Sequence, residues 1–330
     1  MQLMEKCFKV CKEKFGAYES YKLSDCSTGE YASILPFIGG SINGLTLKCN
    51  NELIKIIDEY ESVEDVLLNL HNTFKGSNLF PFPNRIADGM YIFAGQKFSL
   101  PLNFKNEKNA IHGLVYDQQF DVVNQGSGHQ GCFLTLQYLS PDICEGYPFK
   151  YKLKQIYFWK KNRGFGCITL ITNLSNCEMP VGHGWHPYFK AGTDIIDDLA
   201  IQFPSVEIID LDQRNIPTGR SSIYNEFKQL RQIGNIELDN CFRLKRSNQY
   251  ADIVLSNLRK NFHFKIRQET GVNKYNHLQI YTPPDRASIA IEPMTCAPNA
   301  FNNKDGLITL TSGSTISLFW SISKCRFDGN

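Results

Sequence analysis

"FHFKIRQ", residues 262–268, carries the clearest secondary-structure signal in the chain. Phe262, Phe264 and Ile266 alternate with polar residues, and a two-residue period is typical of a β-strand with one buried face. Similar segments recur along the chain, and helical patterns are rare. The predicted strands are Gly131–Ser140, Tyr151–Lys160, Gly166–Asn173, Leu199–Phe203, Val206–Leu211, Asp252–Asn257, Asn261–Gln268, His277–Thr282 and Ser288–Glu292. The pattern predicts an all-β fold, a large antiparallel β-sandwich with few short helices.

Two further elements can be placed. Residues 62–75 predict a helix that is capped by Ser62 and ended by Gly76. The apolar positions of this helix are Val63, Val66, Leu67, Leu70 and Phe74. Near the end of the chain, "GLITLTSGSTISLFWS" at 306–321 predicts a closing β-hairpin with its turn at 311–314.

Composition limits the classes of function. The chain has 330 residues with no internal repeat and no break in composition, so we predict a single domain over residues 1–330, with no role assigned to residues 1–30. The net charge is +2 and the basic residues are dispersed, which gives no footprint for nucleic acid or an anionic membrane and favours a small neutral ligand. No stretch has the length of a signal peptide's apolar core or of a membrane span, so we predict a cytoplasmic location. The eleven cysteines include no Cys-x-x-Cys pair and are predicted to be reduced, mostly buried thiols.

Polar residues that can perform chemistry gather in three loop regions rich in aromatic residues and proline. Those regions are "LFPFPNRIADGMY" (79–91) with "NAIHG" (109–113), "GHGWHPYF" (182–189), and "LQIYTPPDRASIAIEPMTCAPNAFNN" (278–303). In the first region, two prolines stiffen the approach to Arg85, which can bind hydroxyl groups or pair with Asp88 or another acid. His112 is either a ligand contact or a loop histidine that is satisfied within the protein.

The histidines of "GHGWHPYF" raise the question of a metal. Gly182, Gly184 and Pro187 disfavour the helix on which a His-Glu-x-x-His zinc site is built, so no metal site is predicted. The role of His183 stays open. His186 has aromatic neighbours and can exchange a proton near neutral pH, or it can be a hydrogen-bonded member of an aromatic cluster.

The third region offers a carboxylate. In "SIAIE", Ser288, Ala290 and Glu292 share one face of a strand that Pro293 is expected to end. Glu292 is therefore either a base in a cleft or an acid that caps a turn. Gln279 and Tyr281 share one face of the preceding strand and can supply neutral hydrogen bonds. Asp239 can bind hydroxyl groups or begin an Asx turn.

Five ordered motifs resemble those of the aldose 1-epimerases, or galactose mutarotases, from about Ala32 to the C-terminal strands. The motifs are "LFPFPNRI", "IHG", "GWHPYF", "LDNCF" and "IEPMTCAPNAFN". The resemblance implies a β-supersandwich, a hexose such as galactose or glucose as substrate, and no cofactor. The chain also departs from the family: Pro293–Thr295 stand where many galactose mutarotases have Thr and Gln, and Lys190 and Ala191 stand where Asn and Leu are frequent. These departures leave the identity of the sugar open.

The resemblance also implies roles for individual residues. His186 would be the general acid and Glu292 the general base, whereas Arg85, His112, Asp239 and Gln279 would contact the sugar. We expect an ionised glutamate and a protonated histidine in one pH window, with the carboxylate charge favouring the imidazolium.

Three alternatives stay open. The protein can be a sugar-binding or regulatory protein without turnover. It can be a mutarotase of hexose 6-phosphates, in which Arg286 or Lys190 binds the phosphate. A glycoside hydrolase that uses Asp239 and Glu292 is less favoured, because it leaves the "HPYF" motif without a role.

Overall fold

The structure, a computed structural model, describes residues 8–141, 144–245 and 249–325. Within these ranges the chain forms short antiparallel strands, which are numbered in chain order. The first ten are β1 (Phe8–Phe15), β2 (Tyr18–Asp25), β3 (Tyr31–Leu35), β4 (Ser41–Cys49), β5 (Glu52–Lys55), β6 (Ser77–Leu79), β7 (Arg85–Ala87), β8 (Met90–Phe93), β9 (Gln96–Ser99) and β10 (Asn109–Ile111). The next nine are β11 (Asp121–Ser127), β12 (Gly131–Leu139), β13 (Tyr151–Lys160), β14 (Gly164–Asn173), β15 (Met179–Val181), β16 (Gly184–His186), β17 (Tyr188–Phe189), β18 (Leu199–Gln202) and β19 (Ser205–Leu211). The last nine are β20 (Pro217–Ile223), β21 (Arg231–Gln232), β22 (Asp239–Leu244), β23 (Tyr250–Asn257), β24 (Phe262–Glu269), β25 (His277–Tyr281), β26 (Ile289–Met294), β27 (Ile308–Leu310) and β28 (Thr315–Lys324).

Three large sheets contain most of these strands. The first follows chain order from β1 to β5, the second has the order β11-β12-β13-β14-β28-β24-β23-β18-β21, and the third has the order β20-β19-β22-β25-β26-β16-β6, with β17 also paired to β26. Two-stranded ribbons of β7 with β10, β8 with β9 and β15 with β27 complete the described part of the fold. The prediction of an all-β antiparallel fold is confirmed.

Large aromatic side chains join the second and third sheets into a sandwich. Trp185 of β16 packs against Trp320 of β28 with ring centroids 5.9 Å apart. Phe189 of β17 packs against Phe264 of β24 at 5.8 Å. These rings belong to a hydrophobic cluster that also takes in Leu23 of the first sheet, so the three sheets share one core.

Each of the nine predicted strands is present, with ends that differ from the prediction by at most two residues. The alternation in β24 matches its environment, because Phe262, Phe264 and Ile266 are buried while the residues between them are partly exposed. Local periodicity was sufficient for this strand, since it lies with one face on the core.

The predicted C-terminal hairpin is wrong. A turn does form, with the Ser314 N–H donating to the Thr311 carbonyl at 3.1 Å. However, β27 pairs with β15, whereas β28 pairs with β14 and β24. The turn therefore connects two different sheets.

The expectation that Pro293 ends its strand is also wrong. Ile291 donates its N–H to the Pro187 carbonyl at 3.3 Å, on the side of β26 that faces the interruption between β16 and β17. Alternate residues of a strand direct their N–H groups to the same side. The N–H that Pro293 lacks would point to this interrupted edge, so β26 continues to Met294 without losing a bond to β25.

The helix α1 (Val63–Thr73) confirms the predicted segment, and the Ser62 hydroxyl accepts a hydrogen bond from the Asp65 N–H at 3.2 Å. It ends before Gly76, because Phe74 adopts the left-handed conformation of a C-cap. Leu67 is 75% exposed and not part of the buried face, which Val66, Leu70 and Phe74 form. A second, four-residue helix is α2 (Ala300–Asn303), and single 3₁₀ turns occur at Lys105–Glu107 and Ile196–Asp198.

The described part of the N-terminal segment without a recognised motif begins at Phe8. Strands β1 and β2 form a hairpin at the edge of the first sheet. Residues 1–7, and Cys7 with them, lie outside the described ranges. Of the ten cysteines within those ranges, five are buried and two are exposed, fewer buried than the sequence suggested. None of the described helices is long and apolar enough to cross a membrane.

Candidate active site

The third sheet presents a row of polar side chains on one face. Gln279 of β25 pairs with Glu292 of β26, and Gly184 of β16 pairs with Met294. The same antiparallel register, continued by two residues, brings His186 beside Glu292. Cross-strand neighbours project from the same face of a sheet. The pairing therefore brings Gln279, Glu292 and His186 together.

The other predicted residues reach this face from neighbouring elements. Asp239 begins β22, whereas Arg85 begins β7 and His112 directly follows β10, the partner of β7. All six predicted site residues line one cavity of about 260 Å³. Tyr281, which the sequence placed on the same strand face as Gln279, also lines this cavity. Sequence reasoning assigned no site role to the rest of the lining, which consists of Asn72, Thr73, Phe74, Asn84, Phe104, Glu107, Ile111, Tyr188 and Asn215.

His186 and Glu292 form a deeply buried polar contact in the cavity. The His186 Nε2 and the Glu292 Oε1 are 3.4 Å apart, and both side chains are more than nine-tenths buried. The Glu292 Oε2 has no hydrogen-bond partner among the described residues. Tyr188 stacks on the imidazole with ring centroids 4.9 Å apart. A buried acceptor without a partner next to an imidazole is a feature of binding and catalytic sites.

Burial sets the protonation of this pair. Removal from water lowers the pKa of His186 to about 3 and raises the pKa of Glu292 well above its ordinary value. The expectation that the carboxylate would favour an imidazolium is thus not met, because desolvation disfavours both charges. Both shifts favour the uncharged forms, so burial favours a pair that holds one proton on the carboxyl group and has no net charge.

Arg85 is held in place by an acid and an amide. Its Nε donates to Glu107 Oε2 at 2.8 Å, its Nη1 donates to Asn84 Oδ1 at 3.3 Å, and its guanidinium lies 5.6 Å from the centre of the Phe104 ring. The acid that pairs with Arg85 is therefore Glu107 and not Asp88, the partner considered from sequence. Paired in this way and buried, the guanidinium has a fixed position at the cavity wall.

A chain of side-chain hydrogen bonds continues from Asn84 along the cavity. The Asn84 amide donates to Gln279 Oε1 at 3.3 Å, and the Gln279 amide donates to Asp239 Oδ1 at 2.8 Å. Asn215 donates to Asp239 Oδ2 at 3.3 Å. Burial raises the pKa of Asp239, although Arg85 and the Gln279 hydrogen bond oppose the shift. Asp239 thus begins a strand and forms part of the network, rather than an isolated Asx turn.

His112 has a defined tautomer. The backbone N–H of Asn84 donates to its Nδ1 at 3.2 Å, so the neutral ring carries its proton on Nε2. Burial, and then the nearby His186 and Arg85, hold the pKa of His112 well below its ordinary value. Its ring centroid is 5.0 Å from that of His186. His112 is therefore a neutral hydrogen-bond donor at the cavity.

His183 lies in the core and does not line the cavity. Its Nε2 is 2.8 Å from Asn78 Oδ1, its Nδ1 is 3.0 Å from the Tyr275 hydroxyl, and its backbone N–H donates to Thr295 Oγ1 at 2.9 Å. These bonds satisfy both ring nitrogens. The glycine-flanked histidine is a structural residue that anchors β16 and β26.

One arginine connects two walls of the cavity. The Arg214 Nε donates to the Glu107 carbonyl at 3.0 Å, and its Nη2 donates to Asn109 Oδ1 at 3.0 Å and to Asp88 Oδ1 at 2.9 Å. Arg214 lies in the turn between β19 and β20, next to Asn215. The Arg214 clamp, as we call these contacts, joins that turn to the segment that carries Glu107.

Sequence signals for the missed residues differ in strength. Asn84 stands directly before Arg85 inside a quoted motif, so its proximity to the site follows from its position. Glu107 and Asn215 come from segments distant in sequence, and no local pattern links them to Arg85 or Asp239. Across the described ranges, no group of three or more His, Cys, Asp or Glu side chains is arranged to hold a metal ion.

Fold and site together define a class, the mutarotase-like β-sandwich proteins. The chain belongs to the aldose 1-epimerase family, whose sequence model matches residues 25–323. The resemblance inferred from the five motifs is thereby confirmed. The match begins within the hairpin of β1 and β2, a few residues before Ala32, where the resemblance was expected to start.

Individual relatives agree with this assignment. An uncharacterized Escherichia coli protein, YihR, is 27% identical over 303 residues, which cover 90% of this chain and 91% of YihR. A galactose mutarotase-like protein from Clostridium acetobutylicum has a TM-score of 0.85 at 22% identity, with 97% of this chain and 99% of that chain covered. The galactose 1-epimerase from Lactobacillus acidophilus has a TM-score of 0.76 at 18% identity, with 97% and 99% covered.

Proposed function

We propose that the protein is an aldose mutarotase that interconverts the α and β anomers of a hexose. The observation that carries this proposal is the contact between the buried Glu292 carboxyl and the His186 imidazole in a small polar cavity. Ring opening of a hemiacetal needs a base at the anomeric hydroxyl and an acid at the ring oxygen, and two adjacent groups that share one proton can supply both.

In the proposed reaction, Glu292 accepts the proton of the anomeric hydroxyl while His186 protonates the ring oxygen. The C1–O5 bond breaks and gives the open-chain aldehyde, the C1–C2 bond rotates, and closure on the other face reverses both transfers. No proton or electron is consumed. Each positioned proton transfer contributes roughly 100- to 10,000-fold to a rate.

The protonation of the resting pair is compatible with these roles. A protonated Glu292 with a neutral His186 contains the same single proton as a glutamate with an imidazolium. Transfer of that proton between the two groups therefore prepares the pair without exchange with solvent. Hydrogen bonds from sugar hydroxyls to Glu292 stabilise the charged form and offset part of its desolvation.

The remaining predicted residues would orient the ring. Arg85 and the Nε2 of His112 donate, Asp239 accepts, and Gln279 holds Asp239 in place. Because these groups are already bound to each other, little side-chain entropy is lost when a sugar binds. We expect Arg85→Ala to raise KM more than it lowers kcat.

A hexose 6-phosphate as substrate has less support. Lys190 pairs with Asp58 at 2.9 Å, and Arg286 pairs with Asp197. Neither of these basic residues belongs to the cavity lining. The cytoplasmic location predicted from sequence stays a prediction.

Polarimetry tests the proposal. Freshly dissolved α-galactose, α-glucose and their 6-phosphates are each mixed with the protein, and the decay of optical rotation is compared with the uncatalysed decay. We expect acceleration with at least one free hexose and a smaller effect with the phosphates. Saturable binding of a hexose without acceleration of the decay would instead indicate a sugar-binding protein without turnover.

A further inference from the structure

His186 faces Glu292 through Nε2, one of its two ring nitrogens. The other ring nitrogen, Nδ1, is buried and has no hydrogen-bond partner among the described residues. The hydroxyl oxygen of Ser77 is buried and without a partner in the same way. Buried polar groups in proteins are nearly always paired, so two unpaired atoms on neighbouring residues indicate a shared role.

Ser77 lies next to His186 in the third sheet. It is the direct cross-strand partner of His186, with Ser77 on β6 and His186 on β16. Side chains of such partners project from the same face of a sheet, with Cβ atoms about 4.5–5.5 Å apart. Nδ1 is the imidazole nitrogen nearer to the backbone, which is the side from which the Ser77 hydroxyl reaches the ring. Rotation of Ser77 about χ1, or one ordered water between the two atoms, completes a hydrogen bond over this distance.

Backbone contacts hold Ser77 in this position. The Gly76 N–H donates to the His186 carbonyl at 2.9 Å, and the Ser77 N–H donates to the Phe74 carbonyl at 3.1 Å. Gly76 has a φ of +67°, and a Cβ at this residue would lie 2.2 Å from the Ile42 carbonyl oxygen, so the turn requires glycine. The separation of the Ser77 and His186 backbones is therefore set by the fold and not by a ligand.

The proposed reaction needs a proton on Nδ1 of His186 at every step. While Glu292 is protonated, Nε2 must be the bare nitrogen in order to receive the proton, so the neutral ring carries its own proton on Nδ1. In the imidazolium both nitrogens carry protons. After Nε2 has protonated the ring oxygen of the sugar, the neutral ring again keeps its proton on Nδ1. An acceptor at Nδ1 stabilises all three states, and it stabilises the charged ring most.

The other neighbours of His186 contact it in different ways. Tyr188 stacks on its ring at 4.9 Å, Phe74 lies nearly parallel to it at 6.4 Å, and His112 meets it edge to face at 5.0 Å. The free ring nitrogen of His112 is a donor and does not accept a proton from Nδ1. The backbone of His186 itself favours the charged ring but does not complete a hydrogen bond to Nδ1. The Ser77 oxygen is therefore the acceptor that the structure offers.

On the basis of the proposed function, we propose that Ser77 is a positioning residue for the general acid. Its hydroxyl accepts the Nδ1 proton of His186 and thereby keeps the bare Nε2 directed at Glu292 and the sugar. Ser77 does not line the cavity, so it acts through the imidazole and not on the sugar. Its loss lowers the rate of proton transfer and leaves sugar binding largely intact.

The experiment measures the tautomer of His186 and the mutarotation kinetics in the same proteins. Ser77→Ala removes the hydroxyl, and Ser77→Thr retains it. Ser205→Ala is the matched control, because Ser205 is a buried serine of the same sheet whose hydroxyl donates to the Tyr224 carbonyl and which does not line the cavity. Nitrogen-15 NMR of the imidazole rings reports which nitrogen carries the proton, and the signals of His186 are those that disappear in His186→Asn. Circular dichroism checks that each variant folds.

In the wild type and in Ser77→Thr, we expect the neutral His186 ring to carry its proton on Nδ1. Ser77→Ala should move part of the population to the Nε2 tautomer and lower kcat about tenfold, a factor within reach of one hydrogen bond to a charged group, with KM within about twofold. Ser77→Thr should recover most of this kcat, and Ser205→Ala should match the wild type in both measurements. Where the extra methyl group of Ser77→Thr prevents folding, Ser77→Ala decides alone, since it adds no atom to the core.

Three results would overturn the positioning role. The first is a folded Ser77→Ala protein in which either the His186 tautomer or kcat is unchanged. The second is a wild-type His186 whose neutral ring carries its proton on Nε2. The third is an equal fall of kcat in Ser205→Ala, which would assign the effect to packing. Absence of turnover in the wild type would contradict the proposed function instead, and the tautomer measurements would then decide the role of Ser77.

Discussion

Burial dominates the properties of the individual residues at the candidate site. His186 and Glu292 are close enough to attract each other as ions, but the cost of removing two charges from water exceeds that attraction at 3.4 Å. The pKa of His186 falls to about 3 and that of Glu292 rises. In the proposed mechanism, the active protonation state therefore depends on a shared proton, not on two independent groups.

This protonation leads to a prediction about pH. As the pH falls, the pair keeps its single proton until His186 accepts a second one, which its lowered pKa places at about pH 3. As the pH rises, the pair keeps this proton beyond the ordinary glutamate range, because the pKa of Glu292 is raised. We expect kcat/KM for a free hexose, corrected for the uncatalysed rate, to show no acid limb near pH 4.5, the ordinary value for a glutamate. Circular dichroism at each pH serves as the control for folding. An acid limb centred near the ordinary glutamate value of 4.5 would show that the two groups titrate as if exposed to water.

The residues predicted from sequence meet in one cavity, but their partners could not be predicted. The motifs identified Arg85 and Asp239 because each motif is local. Glu107 and Asn215, which hold those two side chains, come from other loops, and only the folded chain brings them together. The reversed pKa order of His186 and Glu292 was also missed, because sequence does not report the depth of burial.

At the level of elements, the shape of the cavity depends on contacts between loops. The Arg214 clamp connects the turn between β19 and β20 to the segment that follows β9, and Glu107 from that segment fixes Arg85. Asn215, adjacent to Arg214, holds Asp239. Two groups proposed to bind the sugar thus depend on one arginine that does not line the cavity itself.

Replacement of Arg214 should weaken sugar binding without removing catalysis. Arg214→Ala frees both segments, and we expect KM to rise by about tenfold, equivalent to one hydrogen bond to a charged group, with kcat within about twofold of the wild type. Arg214→Lys should recover little of the loss, since an ammonium does not reproduce the forked contacts. The exposed Arg220 offers a matched control as Arg220→Ala. An equal fall in kcat, or an unchanged KM, would contradict a positioning role.

Elements were predicted better than their pairing. Apolar and polar residues alternate at 262–268 because one face of β24 lies on the core. The local pattern was therefore sufficient to predict this strand. The two runs around residues 311–314 also have strand patterns, yet their hydrogen-bond partners are β15, β14 and β24. Pairing depends on competition among all strands, which a local turn signal does not include.

At the scale of the whole molecule, we propose that the chain forms one domain. A single hydrophobic cluster takes in side chains from all three large sheets, and the family match extends from residue 25 to residue 323. Trp185 belongs to the third sheet, whereas Trp159 and Trp320 belong to the second. All three tryptophans are buried in this cluster.

Unfolding in urea should therefore be cooperative. With thiols kept reduced, we expect the midpoint from tryptophan fluorescence to coincide with that from far-ultraviolet circular dichroism, because the sheets cannot lose their shared core separately. Two resolved transitions, or midpoints that differ between the probes, would mean that the sheets form independent units.

The catalytic assignment of the buried pair is tested most directly by the mutarotation rate of Glu292→Gln. Glutamine preserves the size of the side chain and removes the ionisable group, so the fold should persist while the base is lost. The measurement is kcat for the decay of optical rotation of a freshly dissolved α-hexose that the wild type converts. We predict that kcat falls by at least about 100-fold while the sugar still binds. A variant as fast as the wild type would contradict the role of Glu292 and the mechanism built on it.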